Sequence, residues 1–159
     1  MASEFSVDHA YDVDVPTLFA LLTDASYLEA KFLATGFTEV EILAAGPAKV
    51  ELTRTTAPPL PGFVKKVLGG KQKIHETQDW TAGDRPQASF RGDSAGTPVK
   101  ISGTVTVDPA GDSSVLRIRG RVDVSVPLVG GKIADFVAGE ATKSLDREYD
   151  FTRAWLAER

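Results

Sequence analysis

The sequence predicts an α+β protein in which a curved, seven-stranded antiparallel sheet wraps one long C-terminal helix, with two short helices after the first strand. Three observations predict it. Seven runs alternate apolar and polar residues with the period of two that a half-buried strand requires. Two stretches between the first and second run carry helix-start signals. From Gly130 onward the period becomes that of a helix and stays so to the end.

The first run, "EFSVDHAY", sets Phe5, Val7, His9 and Tyr11 against Glu4, Ser6 and Asp8. Asp14 then caps a short helix, with Pro16 in its first turn and Leu18, Phe19, Leu21 and Leu22 as its apolar stripe. A second helix, "DASYLEAKFLATG", starts at Asp24 or Ser26 and stops at Gly36. Strands "FTEVEILAA" and "AKVELTRTT" follow, turned at Gly46-Pro47.

Next comes "PPLPGFVKKVLGG", residues 58–70, which prolines open and glycines close, leaving room for one or two helical turns. Four further strands, "KQKIHETQDW", "QASFRG", "VKISGTVTVD" and "SVLRIRGRVDVSV", are separated by turn chemistry. Val99, Ile101, Gly103, Val105 and Val107 share one face of the third, and Leu116, Ile118, Val122, Val124 and Val126 one face of the fourth. Arg117, Arg119 and Arg121 point the other way, as a solvated sheet face does. The final helix has roughly 29 residues and a length of about 43 Å. Ile133, Val137, Ala141, Leu145, Phe151 and Trp155 form its apolar side.

The totals narrow the function classes. A chain of 159 residues suits a single domain, 1–159, with one core. No apolar run approaches the roughly 20 residues of a spanning helix. The acidic, alternating N-terminus lacks the pattern of a signal peptide. Zero cysteines exclude disulfides and thiolate metal sites, and the expected setting is the cytoplasm. A net charge of −4 gives no reason to expect nucleic acid.

A long helix behind six consecutive antiparallel strands must lie against the apolar face of their sheet. One helix fills the hollow of a curved sheet poorly, and a cavity is left. This architecture is the helix-grip fold. Three stretches carry a family resemblance: "LPGFVKKVLGG" with "ETQDW" soon after, "ISGTVTVDP", and "VDVSVPLVGGKIADFV" with "EYDFTRAWL". With them the chain resembles the Bet v 1/START-like (SRPBCC) superfamily over nearly its whole length. Within that superfamily it is similar to a largely actinobacterial family, DUF2505. The resemblance implies the helix-grip fold and hydrophobic-ligand binding, and no particular reaction.

Catalytic motifs are absent or misplaced. "GDSAG" at residues 92–96 matches the G-x-S-x-G elbow, but strands flank it on both sides and His9 and His75 both precede it. Gly69-Gly70-Lys71 and Gly130-Gly131-Lys132 lack the upstream glycine and following Ser/Thr of a phosphate loop. Two distant histidines and no cysteine give no metal site, and no cofactor is expected.

What remains is polar residues whose parity turns them inward. Glu148 projects into the apolar arc of the last helix, between Ser144 and Thr152. Arg54 shares parity with Val50 and Leu52, and His9 and Tyr11 with Phe5 and Val7. Gln78 and Glu76 share it with Ile74 and Trp80, either inward or at an exposed edge. Glu148, Arg54, His9, Tyr11 and Gln78 are therefore the expected polar end of a greasy pocket, unless they form a structural ion pair with a hydrogen-bonded Tyr and His. Its apolar wall is expected from Leu28, Phe32, Trp80, Phe90 and Phe136, with Trp80 or Phe90 as a plug if the pocket is closed. Phe63 and Val67 are expected on the inner side of a lid over residues 58–70, hinged at Gly62, Gly69 and Gly70, unless the segment is a fixed plug packed into the end of the core. The guest would enter past this lid, the short helices and the start of the long one at Val129 and Phe136. Lys65 and Lys66 on the lid's other side allow at most a transient membrane contact.

The expected function is binding of a small lipophilic ligand, for carriage, storage or sensing. Two alternatives stand beside it. One is an enzyme like the polyketide cyclases and dehydratases of the same superfamily, with His9, Tyr11 and Glu148 within hydrogen-bond reach. The other is a protein-interaction module whose cavity is filled.

Overall fold

The computed structural model describes all 159 residues. In chain order the elements are β1 (Ala2–Tyr11), α1 (Val15–Leu22), α2 (Ala25–Ala34), β2 (Glu39–Ala45), β3 (Lys49–Thr56), α3 (Gly62–Leu68), β4 (Gln72–Thr81), β5 (Gln87–Ser94), β6 (Val99–Ala110), β7 (Ser113–Val124) and α4 (Gly130–Ala157). All strands pair antiparallel in the order β1-β7-β6-β5-β4-β3-β2. The expected α+β helix-grip architecture is the one observed. Strand β5 runs two residues past expectation, taking Asp93 and Ser94 into its ladder, and β7 stops two short, at Val124.

Local chemistry fixes the helix ends. The Asp14 carboxylate accepts from Thr17 N at 2.9 Å, and Asp24 from Tyr27 N at 2.9 Å, each satisfying an amide the first turn leaves free. Ser26 is therefore inside α2, where its hydroxyl donates to Asp24. Helix α3 follows Pro61 without a side-chain cap and ends at Gly69, whose φ of 77° suits glycine.

Strands β6 and β7 approach closely at a pair of glycines. Gly103 pairs with Gly120, which pairs on its other side with Phe5. A Cβ on Gly103 would overlap the Arg119 carbonyl, and one on Gly120 the Phe5 ring. Three strands thus meet closely where two lack side chains and the third lays an aromatic ring over the gap.

Helix α4 packs chiefly on β1 and β7 and touches α2. It does not cover the sheet equally, and the core accordingly divides in two. One cluster gathers α1, α2, Val50 and Leu52 of β3, Trp80, and parts of β6 and β7. The other joins Val64 of α3, Val99, Val122, Val124, Ile133, Ala134 and Ala138. No helix is long and apolar enough to cross a membrane.

Two glycines test this packing. Gly103→Ala should lower the unfolding free energy by about 1–3 kcal/mol, since strand backbone must yield to the new methyl. Gly139, on α4 with open space where a Cβ would stand, should give a variant Gly139→Ala that is more stable by about 0.5–1 kcal/mol. Urea titration of both measures the pair.

Candidate functional site

Between the two clusters lies a hollow of about 810 Å³, walled by the inner faces of β1 and β3–β7, by α2, by the 56–60 segment and by α4. Of its 44 wall residues 24 are hydrophobic, so the wall is apolar with a substantial polar minority. Leu28 and Phe32 of α2, Trp80, Phe90 and Phe136 all stand in it, as do His9, Tyr11, Arg54, Gln78 and Glu148. Trp80 is wall rather than plug.

Four charges project into this hollow from neighbouring elements. Lys31 Nζ of α2 lies 3.1 Å from Glu148 Oε1 of α4, the side chains being 10% and 16% exposed. Arg54 Nη1 of β3 donates to Glu76 Oε1 of β4 at 2.5 Å, with exposures of 15% and 16%. The polar set continues along β4: Gln78 Nε2 donates to Glu76 Oε2 at 2.6 Å, and Trp80 Nε1 to Gln78 Oε1 at 2.8 Å. Residues 76, 78 and 80 alternate with outward ones, so β4's pleat alone aligns this ladder. It is an interior strand, and the alternative of an exposed edge falls away.

Aromatic rings support both cations. Arg54 Cζ sits 4.5 Å from the Phe32 centroid and 5.2 Å from that of Phe37, and Lys31 Nζ 4.5 Å from Phe32. Arg54 Nε is the one buried side-chain polar atom without a hydrogen-bond partner. Burial alone would raise the Glu76 carboxyl, but the Arg54 charge and hydrogen bonds from Gln78 and Arg54 hold it below its ordinary value. Burial would lower the Lys31 ammonium, but Glu148 outweighs it and the net shift is upward.

Tyrosines supply neutral polarity nearby. Thr152 Oγ1 spends its proton on the Glu148 carbonyl at 2.7 Å, so the Tyr27 hydroxyl, 2.5 Å away, is the donor of their shared bond. Burial first, then the neighbouring Tyr27 and Glu148, pushes the Tyr11 phenol well above its ordinary value.

Glu148 and Arg54 both stand in the hollow, but they do not form the ion pair left open as the alternative. Each takes a different partner, because Arg54 lies diagonally across from Glu76 on adjacent strands while Glu148 faces α2. Lys31 was not among the expected residues, although Tyr27, Leu28, Lys31 and Phe32 share one buried helical face. His9 turns to α4, where Nε2 donates to Asp146 Oδ1 at 3.0 Å and the ring stacks on Tyr149 at 4.4 Å. His75 is outside, 2.6 Å from Glu51.

The lid face is also corrected. Val64 takes the fully buried position on α3, so the inward stripe runs through Leu60, Val64 and Leu68 at helical spacing. Phe63 is 41% exposed beneath Lys132, and Val67 packs on the second cluster, so neither is in the wall. Val129 is outside it too, while Phe136 is in. Ser94, of the "GDSAG" motif, donates to Gln72, whose amide caps the α3 carbonyls of Leu68 and Gly69.

The architecture and its internal hollow define a START-like helix-grip protein. The chain belongs to the family described as "Protein of unknown function (DUF2505)", whose model matches residues 6–156. The uncharacterized protein Rv0481c of Mycobacterium tuberculosis is 22% identical, over 98% of each chain. Among solved structures, the Zhui aromatase/cyclase of a Streptomyces species is similar with a TM-score of 0.63 and 15% identity, over 97% of this chain and 90% of that one. A START superfamily protein of Mycobacterium smegmatis gives a TM-score of 0.61 and 17% identity, over 98% of each. At such identities the structural likeness carries the fold.

Two variants probe the charge network. Lys31→Met, which leaves Glu148 without its cation, should cost about 3–5 kcal/mol of stability, much of it recovered in the double variant Lys31→Met/Glu148→Leu. A carboxyl depressed in the folded state contributes stability above its unfolded value, lost as pH falls through the folded value. Arg54→Met removes the largest influence that depresses Glu76, so its stability deficit against the unaltered protein, read by urea titration, should be largest near neutral pH and shrink on acidification.

Proposed function

We propose that this chain, acting as one ligand-binding domain over 1–159, holds a small lipophilic molecule in the hollow for carriage, storage or sensing. The observation that carries this reading is the hollow itself. Its volume of about 810 Å³ falls within the roughly 300–1,000 Å³ of small-molecule sites, and a mostly apolar wall with a few converging polar groups is what such sites present. In this reading Leu28, Phe32, Trp80, Phe90 and Phe136 contact the guest's apolar body. His9, Tyr11, Arg54, Gln78 and Glu148, joined by Lys31, surround its polar end. Leu60 and Leu68 take the part expected of Phe63 and Val67.

The likeness to an aromatase/cyclase raises acid-base catalysis as a second reading. That chemistry needs His9, Tyr11 and Glu148 within mutual hydrogen-bond reach. No hydrogen bond joins any two of them, and His9 is committed to Asp146, which favours a binder. An interaction module with a filled cavity is disfavoured by the volume of the hollow.

Nile red, an uncharged lipophilic dye, tests the reading directly. The protein should bind it, and native mass spectrometry of freshly purified protein should show a co-purifying guest. Ala141→Phe, which places a ring in the hollow from α4, should weaken dye binding at least about tenfold, or ~1.4 kcal/mol, while keeping the far-UV spectrum. A protein that takes up no dye, or a variant that binds it unchanged, would overturn the proposal.

A further inference from the structure

The chemistry of the hollow's polar end restricts what can sit there, and this inference rests on the ligand-binding reading above. Each buried cation already has a carboxylate: Lys31 has Glu148 and Arg54 has Glu76. Over the whole wall the cations are Lys31, Arg54 and Arg147 and the carboxylates Glu76, Asp93, Glu140 and Glu148, three against four. An anionic headgroup would therefore have to displace a buried carboxylate from its cation and leave that carboxylate unpaired. An ammonium headgroup would have to take Glu148 or Glu76 from its present partner at the same kind of cost.

Hydrogen-bond capacity is not balanced in the same way. A lysine ammonium carries three N–H groups and a guanidinium five, all donors. Arg54 spends one N–H on Glu76 and its Nε, without an acceptor, is sealed from the hollow, while Lys31 makes one ion pair with its three donors. The Tyr11 phenol, kept protonated by burial and beside Thr152, adds polarity to the wall without adding charge. The polar end is thus short of acceptors while being neutral in charge.

We infer that the hollow selects an uncharged lipophile bearing a hydroxyl or carbonyl oxygen, and discriminates against carboxylates and amines of the same length. An oxygen of this kind accepts from the surplus donors and disturbs neither ion pair. A fatty acid anion would disturb one.

The test is displacement of Nile red at pH 7.5 by 1-dodecanol, dodecanoate and dodecylamine, which share a chain length and differ at the headgroup. Dodecanol should displace the dye at concentrations at least about tenfold below the other two. In Glu148→Gln, where Lys31 loses its counter-charge, dodecanoate should gain at least about tenfold relative to dodecanol while dodecylamine gains nothing. Dodecanoate or dodecylamine matching dodecanol on the unaltered protein overturns the inference and leaves ligand binding standing, whether or not the variant folds. A folded Glu148→Gln with unchanged preference overturns it as well. If neither Nile red nor any of the three binds, the ligand-binding reading falls and takes this inference with it.

Discussion

A straight rod can lie along only part of a sheet that curls through seven strands. Helix α4 takes the β1–β7 side, where Ile133, Ala134 and Ala138 close against β6 and β7. It leaves the inner faces of β3–β5 to the short helices α1 and α2, which reach Val50, Leu52, Trp80 and Ala88. Two short helices cannot complete a close-packed core over the rest of those faces. The glycine pair Gly103 and Gly120 suits this shape, since a Cβ on Gly120 would strike the Phe5 ring that lies over it. Hollow, divided core and uneven helix contact follow from one mismatch of shapes.

That mismatch also explains why polar residues are tolerated inside. A space that apolar packing does not fill can admit water or a guest, and the cost of a charge there is lower than in a dense core. Even so, each charge is matched. Lys31–Glu148 links α2 to α4, and Arg54–Glu76 links β3 to β4. Buried pairs of this kind add little net stability but penalise arrangements that separate them, so Lys31–Glu148 favours the docking of α2 on α4 and Arg54–Glu76 the register of β3 on β4.

Much of this was legible in the sequence. The alternation in "VKISGTVTVD" and "SVLRIRGRVDVSV" gave both strand and face, because one side of each is buried and the other solvated. Asp14 and Asp24 announced their helices through cap chemistry that is local. The inward turn of Arg54 and Glu148 followed from parity. Their partners did not, since pairing depends on how α2 sits against α4 and how β3 registers with β4, which no single segment encodes. Lys31 was passed over for a related reason: a lysine near the end of a short helix ordinarily reaches solvent, and only the docking of α2 buries this one. The inner side of α3 is ambiguous in the sequence because a seven-residue helix offers two candidate stripes, 63/67 and 64/68, the second continued by Leu60 on the lead-in. Val64, completing the second cluster, decides between them.

Helix α3 differs in kind from the rest of the vessel. The sheet is held by continuous ladders and α4 by 28 residues of helix, whereas α3 is one buried valine and a glutamine latch. Its inner edge, Leu60 and Leu68, faces the hollow, and its outer edge carries Phe63 under Lys132. One short turn of chain thus borders the interior with aliphatic side chains and presents an aromatic ring to the exterior, beside a single ammonium.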